Sequence, residues 1–147
     1  MEEIEFNEHN VDIQVEADNW EDAIRKGIRL LEKNGCVTTN YVESVIQNVK
    51  EYGPYIVIYP GLAIPHARPE NGVIQIGYSL ITLKKPVYFP DSNIPVSVLI
   101  SFSATDGNTH LELIKMIVKI ANSDLINQIS TVCSVEALNQ LLNKYIR

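Results

Sequence analysis

A histidine with a proline on either side is the feature of this sequence most suited to chemistry. Residues 61–70 read GLAIPHARPE, and His66 lies between the two prolines. Proline fixes its own φ at about −65° and favours an extended conformation at the residue before it, so neither Ile64 nor Arg68 fits inside a helix. We therefore predict that His66 lies on a stiff, non-helical segment at the end of a strand, where an imidazole could meet a reacting atom in fixed geometry. The structural alternative is a proline-bounded connection whose histidine has no chemical role.

A second histidine follows another apolar segment. Residues 105–110 read TDGNTH and precede a helical pattern, so we expect His110 in the first turn of a helix just beyond a strand end. Such positions are common ligand sites in open α/β sheets, and helix N-terminal amides attract anions such as a phosphoryl group. The same positive end keeps a nearby imidazole neutral. His110 could also be an ordinary first-turn residue, whereas His9 is expected to be exposed and uninvolved.

Most other histidine chemistries lack their partner residues in this sequence. There is no HExxH pair or Cys/His cluster for zinc, no GxSxG nucleophile motif, and no P-loop or GxGxxG for a nucleotide. We expect no metal and no cofactor. A small hydrolase with a His–His pair is disfavoured because no oxyanion-hole motif accompanies it. What remains is nucleophilic chemistry by histidine itself, because a neutral imidazole can form a reactive, reversible N–P bond.

Composition predicts a soluble single domain over residues 1–147. The chain has 46% hydrophobic and 20% charged residues and a net charge of −6. Without a basic stripe, nucleic-acid binding is not expected. The apolar runs are too short to insert into a membrane and the N-terminus is acidic, so we predict a cytoplasmic protein. Cys36 and Cys133 are both predicted to be buried, reduced thiols.

The elements that must position the histidines follow from hydrophobic periodicity. Strands are predicted at 11–15, 55–59, 74–83 and 94–102, with a loop over 84–86, and the 55–59 strand is expected to be buried. Five helical segments are predicted, and Asp18 is expected to cap the first. Further helices are expected with an apolar face at Leu111, Ile114, Ile117, Val118 and Ala121, after Asp124, and after a Ser134 cap. These elements predict an α/β fold, a single-domain sandwich in which helices flank a mixed β-sheet.

At this point the chain resembles the enzyme IIA (EIIA) component of the bacterial sugar phosphotransferase system (PTS), in its mannitol/fructose class, type 2. Within that class it is most similar to the ascorbate-type and cryptic-mannitol-type branch. The motifs that carry the resemblance are GPYIVI at 53–58, AIPHARPE at 63–70 and HLE at 110–112, with weaker support from NWEDAI at 19–24 and KPVYF at 85–89. The resemblance covers nearly the whole chain.

The resemblance implies a phosphotransferase with a phosphohistidine intermediate and the α/β sandwich fold of the family. His66 would accept a phosphoryl group from phospho-HPr and pass it to the cysteine of a cognate enzyme IIB. The associated IIC permease would take part indirectly in uptake of an ascorbate-like or mannitol-like sugar. His110 corresponds to the second active-site histidine of the family, which hydrogen-bonds the phosphoryl group. A homodimer is one alternative for the oligomeric state.

Some alternatives stay open in the sequence. The mannitol branch has an arginine where this chain has Lys50, and Arg68 is the other candidate to stabilise the phosphoryl oxygens; its planar fork suits phosphate better. A regulatory EIIA-like module would signal its phosphorylation state to a transcription factor or transporter, but no fused DNA-binding segment supports it. For partner docking we expect an apolar surround contributed by Tyr59, Leu62 and Ile64, together with the turn around Gly107.

Overall fold

Helices pack on both faces of a five-stranded mixed sheet. The computed structural model describes residues 5–120 and 123–145. The strands are β1 (Val11–Val15), β2 (Val57–Tyr59), β3 (Gly61–Ala63), β4 (Gly77–Val87) and β5 (Val96–Ser103). The helices are α1 (Trp20–Lys33), α2 (Asn40–Tyr52), α3 (Gly107–Val118), α4 (Ser123–Ile129) and α5 (Val135–Tyr145), with a 3₁₀ turn at Pro69–Asn71. None of the helices within these ranges is long and apolar enough to cross a bilayer.

The strand order is β1-β4-β5-β3-β2. The pairs β1–β4 and β3–β5 are parallel, whereas β4–β5 and β2–β3 are antiparallel. The predicted mixed sheet is therefore confirmed, and its two long strands, β4 and β5, are antiparallel neighbours. Because β3 and β5 run in the same direction, the segments that follow them meet at one edge of the sheet. These two segments carry His66 and His110.

The core has two apolar clusters, one on each face of the sheet. On β5, Leu99 belongs to the cluster under α1 and α2, and Ile100 belongs to the cluster under α3, α4 and α5. This alternation follows from the two-residue period of a strand, and it requires β5 to be apolar on both faces. The predicted sandwich is confirmed.

The predicted strand at 55–59 is wrong in length and in burial. Strand β2 begins only at Val57, lies at the edge of the sheet, and leaves Ile58 exposed. The chain then reverses through Pro60 and Gly61, whose φ is 91°, and forms the short strand β3 that the sequence pattern did not reveal. The apolar run therefore supplies one arm of an edge hairpin.

Two other local predictions need correction. Asn19, rather than Asp18, caps α1: its side chain accepts the N–H of Asp22 at 2.9 Å, and the Asp22 carboxylate accepts the N–H of Asp18 at 2.9 Å. The 84–86 stretch lies inside β4 and is not a loop. A shift of register between Thr82 and Val87 accommodates its proline, which has no N–H for the ladder.

The apolar face predicted for α3 was also partly wrong. Leu113 and Ile117 are buried, whereas Leu111 and Val118 are exposed. The predicted position Ala121 lies outside the described residues. The two later helices form as predicted, and Ser134 caps α5 by accepting the N–H of Ala137 at 3.0 Å.

The two cysteines differ in burial. Cys36 is a buried free thiol as predicted, but Cys133 is exposed, so the prediction for it was wrong. Cys133 lies in the connection between α4 and α5, where the apolar neighbour Val132 packs on the core and the thiol does not.

Candidate active site

The two histidines meet in a cleft of about 440 Å³. Their ring centroids are 5.0 Å apart and the ring planes are inclined by 69°. The cleft opens where the segments after β3 and β5 converge. The lining residues come from α2, the connection between α2 and β2, the His66 segment and the start of α3: Asn48, Tyr52, Tyr55, His66, Ala67, Arg68, Pro69, Asp106, Gly107 and His110.

The segment that carries His66 is non-helical, as predicted. Arg68 has extended backbone angles, φ −67° and ψ 151°. Hydrogen bonds fix the segment on two sides: the N–H of Ile64 donates to the Ile56 carbonyl at 2.8 Å, and the N–H of Phe102 donates to the Pro65 carbonyl at 3.1 Å. The histidine therefore sits on backbone that is tied to strand β5 and to the segment leading into β2.

The tautomer of His66 follows from its closest contact. Its Nδ1 lies 2.6 Å from the carbonyl oxygen of Ile64. A carbonyl oxygen only accepts hydrogen bonds, so Nδ1 carries the proton. In the neutral ring Nε2 then holds a free lone pair, which makes Nε2 the nucleophilic nitrogen.

The surroundings of His66 keep its ring neutral. The imidazole stacks on the ring of Phe102, with centroids 4.6 Å apart and an inclination of 19°, and the ring of Tyr55 meets it edge-on at 5.7 Å. Burial lowers the pKa of His66 below its usual value; the Ile64 carbonyl opposes this and the neighbouring His110 adds to it. The hydroxyl of Tyr55 also donates to the His66 carbonyl at 2.9 Å.

His110 lies in the first turn of α3, as predicted. Asp106 is the N-cap, and its carboxylate accepts the N–H of Thr109 at 2.8 Å, while the N–H of His110 donates to the Asp106 carbonyl at 3.0 Å. Burial lowers the pKa of His110. The third histidine, His9, is exposed beside Glu8 and does not line the cleft.

The two candidate cations occupy different places. Arg68 is exposed and lines the cleft. Lys50 lies on α2 with its ammonium 3.5 Å from the carboxylate of Glu21 on α1, and it is not among the described residues that line the cleft. The geometry therefore favours Arg68 as the cation that could reach a group bound at His66.

Several residues of the site were not predicted from the sequence. Tyr41 and Phe102 are two of them, and the hydroxyl of a buried tyrosine, which needs a partner, is the signal that could have singled out Tyr41. Of the expected docking residues, Leu62 and Ile64 are buried, so the expectation was wrong for these two, whereas Gly107 lines the cleft. Tyr52, at the rim of the cleft, is 71% exposed.

Comparison with known proteins agrees with this geometry. The family model "Phosphoenolpyruvate-dependent sugar phosphotransferase system, EIIA 2" matches residues 5–145. The chain belongs to this family. It is thus an EIIA component of the sugar phosphotransferase system, and the resemblance noted in the sequence is confirmed.

Relatives of this chain come from two sugar systems. It is 46% identical over 105 residues to the ascorbate-specific PTS system EIIA component of Escherichia coli strain K12, which is 71% of this chain and 68% of the relative. The solved structure of the mannitol-specific cryptic EIIA CmtB of E. coli is 30% identical, covers 95% of each chain and has a TM-score of 0.85.

A third solved structure extends the likeness in fold. It is a complex of the mannitol enzyme IIA with phosphorylated enzyme IIB from E. coli. At 21% identity it covers 95% of this chain and 98% of that one, with a TM-score of 0.82. The sandwich is therefore the fold of mannitol-type EIIA proteins.

Proposed function

We propose that this EIIA carries the phosphoryl group on Nε2 of His66. The observation that supports this most directly is the 2.6 Å contact between Nδ1 of His66 and the Ile64 carbonyl, because it leaves Nε2 as the nitrogen with a free lone pair. Burial keeps the ring neutral and therefore nucleophilic. The rigid hydrogen-bonded segment holds the nucleophile in one orientation, and such positioning, together with electrostatic stabilisation, supplies most of the catalysis of phosphoryl transfer.

The proposed transfer needs no proton movement at His66. The lone pair of Nε2 attacks phosphorus, a new N–P bond forms, and the N–P bond of the donor phosphohistidine breaks with its electron pair returning to the donor nitrogen. Nδ1 keeps its proton throughout, and that proton stays hydrogen-bonded to the Ile64 carbonyl. In the onward step the thiolate of an enzyme IIB cysteine attacks phosphorus, an S–P bond forms, and Nε2 regains its lone pair.

His110 and Arg68 are proposed to stabilise the charge of the transferring group. The imidazole of His110 is 5.0 Å from that of His66, centroid to centroid, and a neutral imidazole can donate one N–H to a phosphoryl oxygen. Arg68 contributes a planar, permanently charged fork at the open side of the cleft. His110 acts as a positioned hydrogen-bond donor and Arg68 as a positioned charge, and both are worth more inside a partly buried cleft than in water.

The family and the relatives support the partners and the sugar that we propose. HPr is the proposed donor, enzyme IIB the acceptor, and the IIC permease an indirect partner. The mannitol enzyme IIA of similar fold has been solved with phosphorylated IIB, which supports an enzyme IIB partner here. We favour an ascorbate system, because identity to the ascorbate-specific EIIA is 46% over 71% of this chain, against 30% over 95% of it for the mannitol-type CmtB.

The remaining parts of the proposal concern the chain as a unit. We infer one EIIA domain over residues 1–147, acting in the cytoplasm, with a homodimer as the alternative to a monomer. The family match over 5–145 supports the single domain, as does the bond from the Asn139 side chain near the C-terminus to the carbonyl of Phe6, at 2.9 Å.

The test is to incubate the chain with phosphoenolpyruvate, enzyme I and HPr and to map the phosphate by mass spectrometry. We expect one phosphoryl group on His66, no labelling of His66→Ala, and normal labelling of the matched control His9→Ala. Phosphate on His110 or His9 in the wild type would overturn the proposal. Mixing the labelled protein with ascorbate-type or mannitol-type enzyme IIB then decides the sugar system.

A further inference from the structure

Tyr41 lies directly behind the site, although it does not line the cleft. It is in the first turn of α2 and is fully buried. The N–H of Ala67 donates to its hydroxyl oxygen at 2.8 Å, and the hydroxyl lies 2.8 Å from the carbonyl oxygen of Phe102. The Ala67 carbonyl is farther away, at 3.3 Å, so the single hydroxyl proton belongs to the bond with Phe102.

The hydrogen bonds of Tyr41 stand in place of one backbone hydrogen bond between the His66 segment and β5. In a parallel pair, a residue donates its N–H to the residue before its partner and accepts from the residue after its partner. Phe102 donates to the carbonyl of Pro65 at 3.1 Å, so His66 is the residue opposite Phe102. The complementary bond would run from Ala67 to Phe102, and the hydroxyl of Tyr41 is inserted there.

The insertion sets the geometry of the nucleophile. Two hydrogen bonds of 2.8 Å replace one, so the backbone after His66 stands farther from β5 than the backbone before it. The imidazole of His66 nevertheless lies nearly flat on the ring of Phe102, the residue opposite it, with centroids 4.6 Å apart. Both residues on either side of His66 are thus tied to Phe102, one directly and one through Tyr41.

We propose that Tyr41 is a positioning residue for phosphoryl transfer: its inserted hydroxyl fixes the orientation of the His66 imidazole, with Nδ1 on the Ile64 carbonyl and Nε2 toward the cleft. This inference rests on the proposed function of His66. Burial raises the pKa of Tyr41 above its usual range, so the hydroxyl stays protonated and keeps donating to Phe102.

The test variant is Tyr41→Phe, which removes the hydroxyl and keeps the ring. It leaves the buried Ala67 N–H and Phe102 carbonyl without this partner, so some loss of stability is expected. The matched control is Thr82→Val. The hydroxyl of Thr82 is also fully buried and accepts a backbone N–H, that of Gln14, at 2.7 Å. Thr82 pairs with Val98, four residues along β5 from Phe102, so it is remote from His66.

Two readouts distinguish positioning from stability. The first is the rate of transfer from phospho-HPr per folded molecule, which we expect to fall at least tenfold in Tyr41→Phe and to stay at the wild-type value in Thr82→Val, because small misplacements of a nucleophile cost about this much or more. The second is the ¹⁵N spectrum of the His66 ring, which we expect to report mainly the Nδ1–H tautomer in the wild type and the control, and a mixture in Tyr41→Phe.

Wild-type rates and an unchanged tautomer in Tyr41→Phe would overturn the inference, as would equal rate losses in both variants. If Tyr41→Phe is too unstable, both variants are measured in sucrose, which favours the folded state. Failure of the proposed function is a separate result: the wild type itself would then carry no phosphate on His66, while the tautomer measurement would still test the positioning by Tyr41.

Discussion

The imidazole rings of His66 and His110 meet edge to face at 5.0 Å, although the two residues are 44 positions apart in the sequence. Each ring also contacts Phe102, with centroid distances of 4.6 Å for His66 and 5.2 Å for His110. The apolar ring thus holds two titratable groups side by side in a partly dry cleft. Two positive charges at this separation repel each other, so the pair favours neutral rings.

His110→Ala should slow phosphoryl transfer without preventing it. Removal of one preorganised donor typically lowers a rate by about 10²–10³-fold. His66 keeps its Ile64 contact in this variant and can still accept the group. Single-turnover transfer from phospho-HPr measures the effect, and His110→Gln, which retains a donor, should recover part of the rate. A wild-type rate for His110→Ala would make His110 an ordinary first-turn residue.

Stability should fall as the pH falls below the ordinary histidine pKa. Burial lowers the pKa of both His66 and His110 from 6.5, so the unfolded chain takes up these protons at a higher pH than the folded chain does. At a pH between the pKa in the folded chain and the pKa in the unfolded chain, the unfolded state therefore binds more protons. Acidification from about pH 7.5 to about pH 5.5 then reduces the free energy of unfolding. Urea titrations measure this loss, which should be smaller in His66→Gln. Identical losses in the two proteins would contradict the prediction.

Neutralising Arg68 should slow phosphoryl transfer, whereas neutralising Lys50 should not. Arg68→Gln removes the cation that lines the cleft, and transfer should slow by about tenfold or more, the worth of one charge-assisted hydrogen bond. Lys50→Gln removes only an exposed ion pair with Glu21, worth about 1 kcal/mol or less, and should transfer normally. Rates at matched protein concentration provide the comparison. A slower Lys50→Gln with a normal Arg68→Gln would reverse the assignment.

Local signals were enough to predict the backbone conformation that carries the two histidines. The prolines around His66 exclude a helix whatever the tertiary context, and Asp106 caps α3 through a bond to a residue three positions away. The placement of Tyr41 could not be predicted in this way. Its hydroxyl bonds to Ala67 and Phe102, which are 26 and 61 residues away, so its role exists only once α2 has packed behind the strands.

The strand errors have a similar cause. The 55–59 run is as apolar as a central strand, but strand position depends on which neighbours pair, and β2 lies at the sheet edge. Likewise, Lys84 and Lys85 are exposed residues of β4, and their charge suggested a loop where the strand only shifts register. The composition of a segment indicates how buried its residues are on average, but it does not indicate which strands pair with it.

Two serines opposite each other on β4 and β5 should respond in opposite ways to truncation. Ser79 and Ser101 are paired and fully buried near Gly27 of α1. The hydroxyl of Ser79 donates to the Gly27 carbonyl at 2.8 Å, whereas that of Ser101 has no hydrogen-bond partner among the described residues. Ser79→Ala should lose about 1 kcal/mol, and Ser101→Ala should be neutral or gain up to about 1 kcal/mol. Urea unfolding measures the free energy of unfolding of both variants. A clear loss of stability in Ser101→Ala would show that the Ser101 hydroxyl has a hydrogen-bond partner.

Tyr52 should matter for the encounter with HPr and not for the chemical step. It is 71% exposed at the rim of the cleft, where a transient partner interface would be small and would depend on a few aromatic contacts. Loss of one such contact costs about 1 kcal/mol or more, so Tyr52→Ser should raise the HPr concentration for half-maximal transfer about fivefold or more and leave the maximal rate unchanged.

Tyr88→Ser is the matched control, because Tyr88 is 53% exposed and does not line the cleft. Both variants should fold like the wild type, since exposed substitutions rarely change stability by more than about 0.5 kcal/mol. Equal behaviour of the two variants, or a lower maximal rate in Tyr52→Ser, would show that HPr docks elsewhere or that Tyr52 acts on His66 itself.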